Sequence, residues 1–558
     1  MQVSGNTAGP GSTQVNNINV NPARNAEKED DKCLLALNCP DSFTVKIRLL
    51  DSKGEVLPQC FHWILSTDGY RAWRDRDKRV LWINGGPGKG KTMMAMGLIN
   101  DLGEAQGSST SQPMVCYFFC QNTDNRYNSA VAIVKGLIAQ LVSVDRTQIA
   151  HLRKHWDDEK EAFKKDPDVE SLETLWEILL KMLDSITSTT KQRIYVVVDA
   201  VDECGDGRKQ FLRRVARSGT SISPRVKWLF TSRPLDHPER FLHDASGFPT
   251  INLEDNRISL TSAIKTFINH KVDELCRTRK YDDIPRGPLA SGLEARAGNT
   301  FLWVALVCQQ LEDVPSEEIL TAAVRFPSGL DSFYARMIQE IHDRDEVTAR
   351  LCNQLIMAAT LAERPLHVRE ASHIAGYPHD ERRKATSVRR IVDSCKSLLA
   401  LQDDDCVHFV HLSAKDYINS KISPSELPKK HECIAKQCLE LMIERLDKNM
   451  GELPSVSTHV SELREGKRKD LLAEIGYACR FWMEHLIRSY ESYGVGSGLP
   501  DATSLDQFFT SKLLHWLEAI SILGNIPESV LLLQRLKRAV DVRKPMTFLV
   551  KALSADTQ

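Results

Sequence analysis

The sequence of 558 residues lacks a dominant charge, because 73 Lys and Arg residues balance 74 Asp and Glu residues and leave a formal net charge of −1. We therefore expect no general attraction to nucleic acid or to acidic lipid surfaces. No apolar run reaches the ~18–20 residues that cross a bilayer, so no integral membrane segment is predicted. The opening MQVSGNTAGPGSTQ has no basic region and no apolar core, unlike a secretory signal. These absences predict a cytoplasmic protein.

The sequence also lacks any CxxC pair among its 14 cysteines, and their spacing is not typical of a metal site. In a chain of this length we interpret them as reduced and mostly buried thiols. An internal repeat with a period of 20–50 residues is missing too, which argues against a solenoid or propeller array within this sequence. What is present is an ordinary globular mix, 42% hydrophobic and 26% charged, with a length that predicts several domains.

Residues 1–32 are rich in Gly, Asn and Ser and then in charged side chains. Such a segment cannot bury much apolar surface and is predicted to be disordered. Its stretch STQVNNINVNP places Val and Ile among asparagines, a composition that can also stack as cross-strand ladders. Order is expected from about Cys33, with a helical lead-in over residues 33–76.

Between residues 77 and 240, apolar runs typical of buried strands alternate with helical segments. The strand-like segments are RVLWIN, MVCYFFC at 114–120, RIYVVVDAVDEC at 193–204 and VKWLFTSRP at 226–234. Strands that alternate with helices of this length predict an α/β fold with a doubly wound parallel sheet.

Beyond about residue 240 the pattern is mainly helical, and 289–311 is predicted as one continuous helix. We divide this part into a helical domain at 241–345, a winged-helix-like domain at 346–422 and a C-terminal helical region at 423–558. The middle assignment depends on residues 364–418, whose pattern indicates two helices and then two short strands around the acidic turn QDDD.

The segment GGPGKGKT at 85–92 fits the phosphate-binding pattern G-x-x-x-x-G-K-[ST] at every fixed position. Its glycines allow successive backbone N–H groups to surround an anion, and the following helix adds its positive end. Lys91 is expected to reach the β- and γ-phosphates and Thr92 to bind Mg²⁺. The side chain of Lys89 is interpreted as a solvated charge. The predicted nucleotide contacts are Gly85, Gly86, Pro87, Gly88, Lys89, Gly90, Lys91 and Thr92.

Acidic and basic residues follow two later strands. Asp199, at the end of YVVVD, is expected to hold Mg²⁺ directly or through water. Asp202 and Glu203 are candidates for the general base that polarises the attacking water, and each is alternatively a solvated loop acid. Arg233, after WLFTS, either stabilises charge on the γ-phosphate or pairs with an acid.

Eight segments together resemble those of fungal NACHT-type STAND NTPases, the class that includes heterokaryon-incompatibility and NOD-like receptor proteins. They are RVLWINGGPGKGKT, YFFCQNTDNRYNSA, YVVVDAVDEC, WLFTSRP, GNTFLWVALVCQQL, FPSGLDSFYARM, FVHLSAKDYI and YACRFWMEHL. The resemblance runs from about Cys33 to Val540.

The resemblance implies roles for individual residues. Asp199 would coordinate Mg²⁺, Asp202 and Glu203 would support hydrolysis, and Arg233 would sense the nucleotide. His411 would touch the bound diphosphate in a closed state; without the resemblance it is equally a core histidine beside a strand. Arg126 lies in a stretch often linked to the nucleotide site, and we rank it lower.

At the level of function, the resemblance implies a switch that is closed with ADP or GDP and forms homo-oligomers with ATP or GTP and Mg²⁺. Slow hydrolysis would reset it. Assembly would cluster the N-terminal tails, which loosely resemble amyloid-type signalling motifs and would engage an effector partner. Such receptors usually carry an N-terminal effector domain and C-terminal repeats, and neither is evident here. Two alternatives stay open: a turnover NTPase that does mechanical work, and a non-enzymatic scaffold stabilised by nucleotide.

Overall fold

A computed structural model describes residues 30–35, 37–39, 41–104, 112–122, 126–158, 172–218, 223–234, 248–279, 285–378, 385–402, 404–452, 465–492 and 502–541. Residues 1–29 of the predicted disordered tail therefore lie outside the described residues. Asp30 and Asp31, which we assigned to that tail, instead form ion pairs with Arg153 and Arg146 at 2.9 and 2.6 Å. The ordered chain thus includes residues that the sequence analysis placed in the tail.

A parallel sheet of five strands, in the order β2-β3-β4-β1-β5, forms the centre of the first half of the chain. The strands are β1 (Val80–Asn84), β2 (Met114–Phe119), β3 (Ile194–Asp199), β4 (Val226–Ser232) and β5 (Thr250–Asn252). Every residue of β3 and β4 is buried, as expected when helices cover both faces of a parallel sheet. The sequence analysis missed β5, which extends the sheet past residue 240, because three residues give no apolar run.

The helices that accompany this sheet include Ser42–Lys53, Pro58–Leu65, Asp68–Asp75, Lys91–Gly103, Ala130–Val144, Ile149–Asp158, Leu172–Thr190 and Arg208–Arg217. The first three make up the predicted lead-in, and they pack on the sheet layer. A Cβ at Gly97 would lie 2.3 Å from the ring of Phe61, and the rings of Trp73 and Tyr195 are 5.3 Å apart. The lead-in is therefore part of the same core.

The rest of the described chain is helical apart from one small antiparallel sheet, with β6 (Leu366–His367), β7 (Leu399–Leu401) and β8 (Cys406–Phe409) in the order β6-β8-β7. Its helices are Arg257–Arg279, Arg286–Glu294, Phe301–Leu311, Ile319–Arg325, Leu330–His342, Glu346–Leu361, Val368–Ile374, Ala385–Ser394, Leu412–Lys421, Leu427–Arg445, Glu465–Ser492, Ala502–Ser511, Leu513–Leu523 and Ile526–Asp541. The single helix predicted at 289–311 is wrong, because Gly298 and Asn299 adopt left-handed φ values of +58° and +56° and divide it.

A buried polar network connects the small sheet to the helices that follow it. Glu370 is fully buried, accepts from Arg364 Nη1 at 2.6 Å, and also accepts from the Tyr477 N–H group at 3.1 Å. The Tyr477 hydroxyl lies 2.6 Å from His485 Nε2. Because buried polar groups are costly when unpaired, this network fixes the long helix Glu465–Ser492 against the small sheet. Within the described parts of the chain, no helix has the length and apolar character needed to cross a membrane.

Candidate functional site

The loop predicted to bind phosphate connects β1 to the helix Lys91–Gly103 at the carboxyl edge of the sheet. Gly88 and Gly90 have φ values of +73° and +81°, a left-handed conformation that glycine adopts readily. A Cβ at Gly88 would also lie 2.5 Å from Thr300 Cγ2. The helix begins without a side-chain cap, so N–H groups of its first turn are available to an anion.

The two lysines of the loop have different surroundings. Lys91 Nζ donates to the carbonyl oxygens of Gly85 and Gly86 at 2.6 and 2.9 Å. Burial lowers the pKa of Lys91 to about 8, while nearby carboxylates raise it. Lys89 Nζ donates to the Asn299 carbonyl at 2.9 Å, and only 13% of its side chain is exposed. Lys89 is therefore not the solvated charge that we expected, because it ties the loop to the segment at 295–300.

The two expected magnesium ligands meet at the end of β3. Asp199 is 3% exposed, and its Oδ1 accepts a hydrogen bond from Thr231 Oγ1 at 2.5 Å. The Thr92 hydroxyl lies close to the same carboxylate. Burial raises the pKa of Asp199, whereas the hydroxyls of Thr231 and Thr92 and the charges of Lys53 and Lys91 lower it. A hydroxyl and a carboxylate side by side are the oxygen ligands that a hard divalent cation prefers.

The two acids beyond β3 follow a left-handed residue. Ala200 has a φ of +52°, which for a residue with a Cβ costs about 1–2 kcal/mol. Its N–H group donates to Thr231 Oγ1 at 2.9 Å, which holds the turn in place. Glu203 Oε2 accepts from the Asn122 N–H group at 3.2 Å. Burial raises the pKa of Glu203 to about 7, and repulsion from Asp202 adds to the rise, so this carboxyl exchanges a proton near neutral pH.

Arg233 joins these acids to a helix far along the chain. Its backbone N–H group donates to Asp202 Oδ1 at 3.1 Å, and its Nε lies 3.5 Å from Asp202 Oδ2. Its Nη1 lies 2.5 Å from Oδ2 of Asp416, which belongs to the helix Leu412–Lys421. The arginine therefore pairs with one acid from the turn after β3 and with another from the helix that follows the small sheet.

His411 caps the N-terminus of that same helix and faces the cluster of charges. Its Nδ1 accepts from the Ser413 N–H group at 3.3 Å. Burial lowers the pKa of His411 to about 3, and the charges of Lys53, Arg233 and Lys91 lower it further. The imidazole is therefore neutral at physiological pH, and with Nδ1 as the acceptor its hydrogen is assigned to Nε2. An Nε2–H group is a suitable donor to a phosphate oxygen.

The structure also places near the site three residues that the sequence analysis did not select: Lys53, Glu254 and Asp416. The position of Asp416, one turn into the helix that His411 caps, was a usable signal. No local sequence signal identifies Lys53 or Glu254, since the groups on which they act are far away in the sequence. Arg126, which we ranked lower, lies with its guanidinium 5.4 Å from the centre of the Tyr127 ring.

This arrangement fits a polyphosphate bound with Mg²⁺. The Gly86 N–H group donates to Glu254 Oε1 at 3.1 Å, so the loop already hydrogen-bonds an anionic oxygen. Over the ranges that the structure describes, no group of three His, Cys, Asp or Glu side chains is placed to hold a metal ion. Thr92 and Asp199 provide only two protein ligands. Two ligands suit Mg²⁺, because that ion usually keeps several waters and takes phosphate oxygens as its other ligands.

Comparison with known proteins supports the class of protein that the sequence resembles. Residues 59–233 match the family described as Nephrocystin 3, N-terminal. Over 533 residues the chain is 34% identical to the Vegetative incompatibility protein HET-E-1 of Podospora anserina. That match covers 91% of this chain and 38% of the relative, so the chain spans well under half of the relative's length.

Solved structures give weaker likenesses. The Aeropyrum pernix ORC2 protein in ADPNP–ADP complexes is 13% identical, with a TM-score of 0.31 over 71% of this chain and 94% of that chain. Drosophila ORC bound to DNA is 12% identical, with a TM-score of 0.30 over 74% of this chain and 97% of that chain. Scores this low carry no argument about ligands. The family match and the identity to HET-E-1 confirm the resemblance: residues 59–233 are similar to the NACHT-related family described as Nephrocystin 3, N-terminal, and the chain is similar to HET-E-1 over nine tenths of its own length.

Proposed function

We propose that this chain is a nucleotide-operated signalling switch of the NACHT and STAND type. It binds ATP or GTP with Mg²⁺, hydrolyses the nucleotide slowly, and assembles with copies of itself in the triphosphate state. The observation that carries the proposal is that Arg233, at the end of a sheet strand, pairs with Asp416 beside the cap residue His411. One cluster of charges therefore joins the phosphate-binding loop to a distant part of the chain.

Nucleotide binding uses groups of the phosphate-binding loop and of the strand ends beside it. The N–H groups of residues 85–92 and the start of the helix Lys91–Gly103 surround the phosphates. Lys91 leaves the carbonyl oxygens of Gly85 and Gly86 and donates to phosphate oxygens instead. Thr92 and Asp199 hold Mg²⁺, whose role when bound is to neutralise charge on the phosphates.

Hydrolysis depends on Glu203 and Asp202. With a pKa of about 7, Glu203 is ionised in part of the population at neutral pH and then accepts a hydrogen bond from the attacking water. Asp202 Oδ1 accepts a hydrogen bond from the backbone N–H group of Arg233 and so positions the arginine. Turnover is slow while Asp416 competes with the γ-phosphate for the same guanidinium.

The switch follows from the same competition. In the diphosphate state His411 Nε2–H donates to the nucleotide, and Arg233 keeps its bond to Asp416. A γ-phosphate draws Arg233 away from Asp416, which loosens the helix Leu412–Lys421 from the sheet. A ligand shifts such an equilibrium only through its different affinity for the two states, and these two residues supply that difference.

The larger organisation and setting belong to the proposal as well. We assign residues 241–345 to a helical domain, 346–422 to a winged-helix-like domain and 423–558 to a C-terminal helical region. The similarity to a vegetative incompatibility protein of a fungus supports a role in fungal self/non-self recognition or immunity, and we place that role in the cytoplasm. The tail at 1–32 would engage an amyloid-type or effector partner.

The test is to identify by native mass spectrometry the nucleotide that co-purifies with the full chain, and to measure the oligomeric state before and after exchange. We expect a retained purine diphosphate in a monomer and a larger species with a triphosphate and Mg²⁺. Rapid steady-state hydrolysis without assembly would favour the turnover NTPase. Bound diphosphate with no measurable turnover, unchanged by Glu203→Gln, would favour the scaffold.

A further inference from the structure

A chain of buried hydrogen bonds ends at the imidazole of His411. The Tyr334 hydroxyl lies 2.8 Å from Ser413 Oγ, and Ser413 Oγ lies 2.9 Å from His411 Nδ1. Tyr334 and Ser413 are both buried, so each hydroxyl depends on its protein partners for hydrogen bonds. The orientation of the His411 ring is therefore linked to a tyrosine 77 positions earlier in the sequence.

The hydrogens of this chain have one direction. The backbone N–H group of Ser413 lies 3.3 Å from His411 Nδ1, and a backbone N–H group can only donate. Nδ1 is therefore an acceptor, and the Ser413 hydroxyl is its second donor. Because that hydroxyl gives its one hydrogen to Nδ1, it can only accept from Tyr334. Burial raises the pKa of Tyr334 to about 12, so the tyrosine keeps the hydrogen that it donates.

The helix that carries Tyr334 also contacts the phosphate-binding loop. Tyr334 lies one turn after Leu330 in the helix Leu330–His342, and residues four apart lie on the same face of a helix. Leu330 Cδ1 is 3.1 Å from the position of a Cβ at Gly88, in the middle of the loop. One face of one helix therefore contacts both the loop and the segment that begins at His411.

The segment that His411 begins is itself held at the site. Asp416, in the helix that His411 caps, pairs with Arg233 at 2.5 Å. His411 Nδ1 is occupied by the two donors of Ser413, so Nε2 is the ring nitrogen left to meet a ligand. The hydrogen-bond chain thus determines which nitrogen of His411 carries a hydrogen at the edge of the site.

We propose that Tyr334 is a positioning residue for His411: acting through Ser413, it keeps the imidazole oriented with Nε2–H toward the bound diphosphate. This inference rests on the proposed function, because it requires the contact between His411 and the diphosphate. Tyr334 itself does not touch the nucleotide. Its hydroxyl therefore favours diphosphate over triphosphate only as long as His411 is present.

The test is a double-mutant cycle between Tyr334→Phe and His411→Ala in the full chain, with ADP, GDP and the Mg²⁺ triphosphates titrated by calorimetry. Because one hydrogen bond is removed, we expect Tyr334→Phe to lower diphosphate affinity about two- to tenfold and triphosphate affinity less than about twofold. In the His411→Ala background the same substitution should have almost no further effect. Tyr417→Phe is the matched control, because its ring packs against Tyr334 with centroids 5.7 Å apart and its hydroxyl is not part of the chain.

A loss in Tyr334→Phe that persists in the His411→Ala background, or that is equal for both nucleotides, would overturn the role of Tyr334. Unchanged diphosphate affinity in Tyr334→Phe would overturn it too, provided that His411→Ala weakens binding. If His411→Ala itself keeps the wild-type diphosphate affinity, the proposed function fails at that contact.

A second measurement needs no nucleotide, and so it separates the two failures. Ring-¹⁵N NMR of the free chain reports which nitrogen of His411 carries the hydrogen, and the signal is identified by its loss in His411→Ala. We expect the hydrogen on Nε2 in wild type, and a shifted Nδ1 resonance in Tyr334→Phe but not in Tyr417→Phe. A hydrogen on Nδ1, or an unshifted resonance in Tyr334→Phe, would overturn the inference whether or not nucleotide binds.

Discussion

Arg233 and Asp416 form an ion pair with 2.5 Å between Nη1 and Oδ2, although they are 183 residues apart in the sequence. Arg233 follows the last residue of β4, and Asp416 lies one turn after His411 in the helix Leu412–Lys421. The pair therefore connects the carboxyl edge of the parallel sheet with the segment that follows the small antiparallel sheet. Both side chains are partly exposed, so a ligand can compete for the arginine.

Asp416→Asn removes this ion pair and leaves the shape of the side chain nearly unchanged. Because partly exposed pairs contribute roughly 0.2–1 kcal/mol, we expect release of bound diphosphate to become about two- to fivefold faster. Fluorescent diphosphate displaced by unlabelled nucleotide measures that rate. Asp405→Asn is the control, since it breaks the exposed pair with Arg389 at 2.6 Å. Identical release rates in the two variants would contradict the role of Asp416.

Lys91→Ala should abolish retention of nucleotide, with a loss of affinity of about a hundredfold or more, because a buried ammonium that meets phosphate is removed. Calorimetry with the Mg²⁺ triphosphates measures the loss. Lys89→Ala is the control from the same loop. Since Lys89 donates to Asn299, that variant should keep nucleotide and lower thermal stability instead. Co-purified nucleotide in Lys91→Ala would refute the phosphate-binding loop.

His411→Ala should promote self-assembly, because it removes the donor that we assign to the diphosphate state. We expect a larger oligomeric fraction with triphosphate and faster release of diphosphate, by about tenfold. Light scattering after size-exclusion chromatography measures the assembly. His342→Ala, at an exposed helix end away from the cluster, should behave as wild type. A His411 variant that stays monomeric with triphosphate bound would show that the contact is not part of the switch.

Gly88→Ala should lower the thermal midpoint and prevent nucleotide binding. The left-handed φ of +73° costs about 1–2 kcal/mol for alanine, and its Cβ would collide with Thr300 Cγ2 at 2.5 Å. Gly103→Ala is the control, because its φ is not positive and, among the described residues beyond its chain neighbours and its own helix backbone, none has an atom within 4 Å of a Cβ there. Thermal unfolding with and without nucleotide compares the two. Equal midpoints would show that the loop relaxes around the added methyl group.

The raised pKa of Glu203 predicts a dependence of stability on pH in the nucleotide-free chain. Its usual value is 4.5 and its value in the fold is about 7, so between these values the folded chain holds a proton that the unfolded chain has released. The free energy of unfolding therefore decreases as the pH rises from about 4.5 to 7, and that decrease is complete above 7.

Glu203→Gln removes this dependence, and at pH 8 it should be more stable than wild type by about 1–3 kcal/mol. Thermal midpoints at pH 5 and pH 8 test this, with the exposed Glu177→Gln as the control. A gain that is the same at both pH values would show that Glu203 carries no bound proton in the fold.

Local patterns were sufficient to predict the parallel sheet and which candidate residues lie at its carboxyl edge. Four strands are long apolar runs, three of them ending at a glycine, an acid or an arginine of the candidate site, and the structure has all four. The fifth strand is only Thr250–Asn252. Its three residues show no apolar run, and they form a strand because they pair with β1. The helix predicted at 289–311 divides at Gly298 and Asn299, and these turn residues were visible in the sequence.

The sequence by itself determined the phosphate-binding loop, the acids after β3 and the arginine after β4, because the chemistry of each depends on neighbours within a few positions. Only the tertiary structure decided which long-range partners those groups have. The pairing of Arg233 with Asp416, the anchoring of Lys89 on Asn299 and the hydrogen bond from Gly86 to Glu254 each join distant segments. Such contacts are set by how helices pack on the sheet, and no local periodicity records that packing.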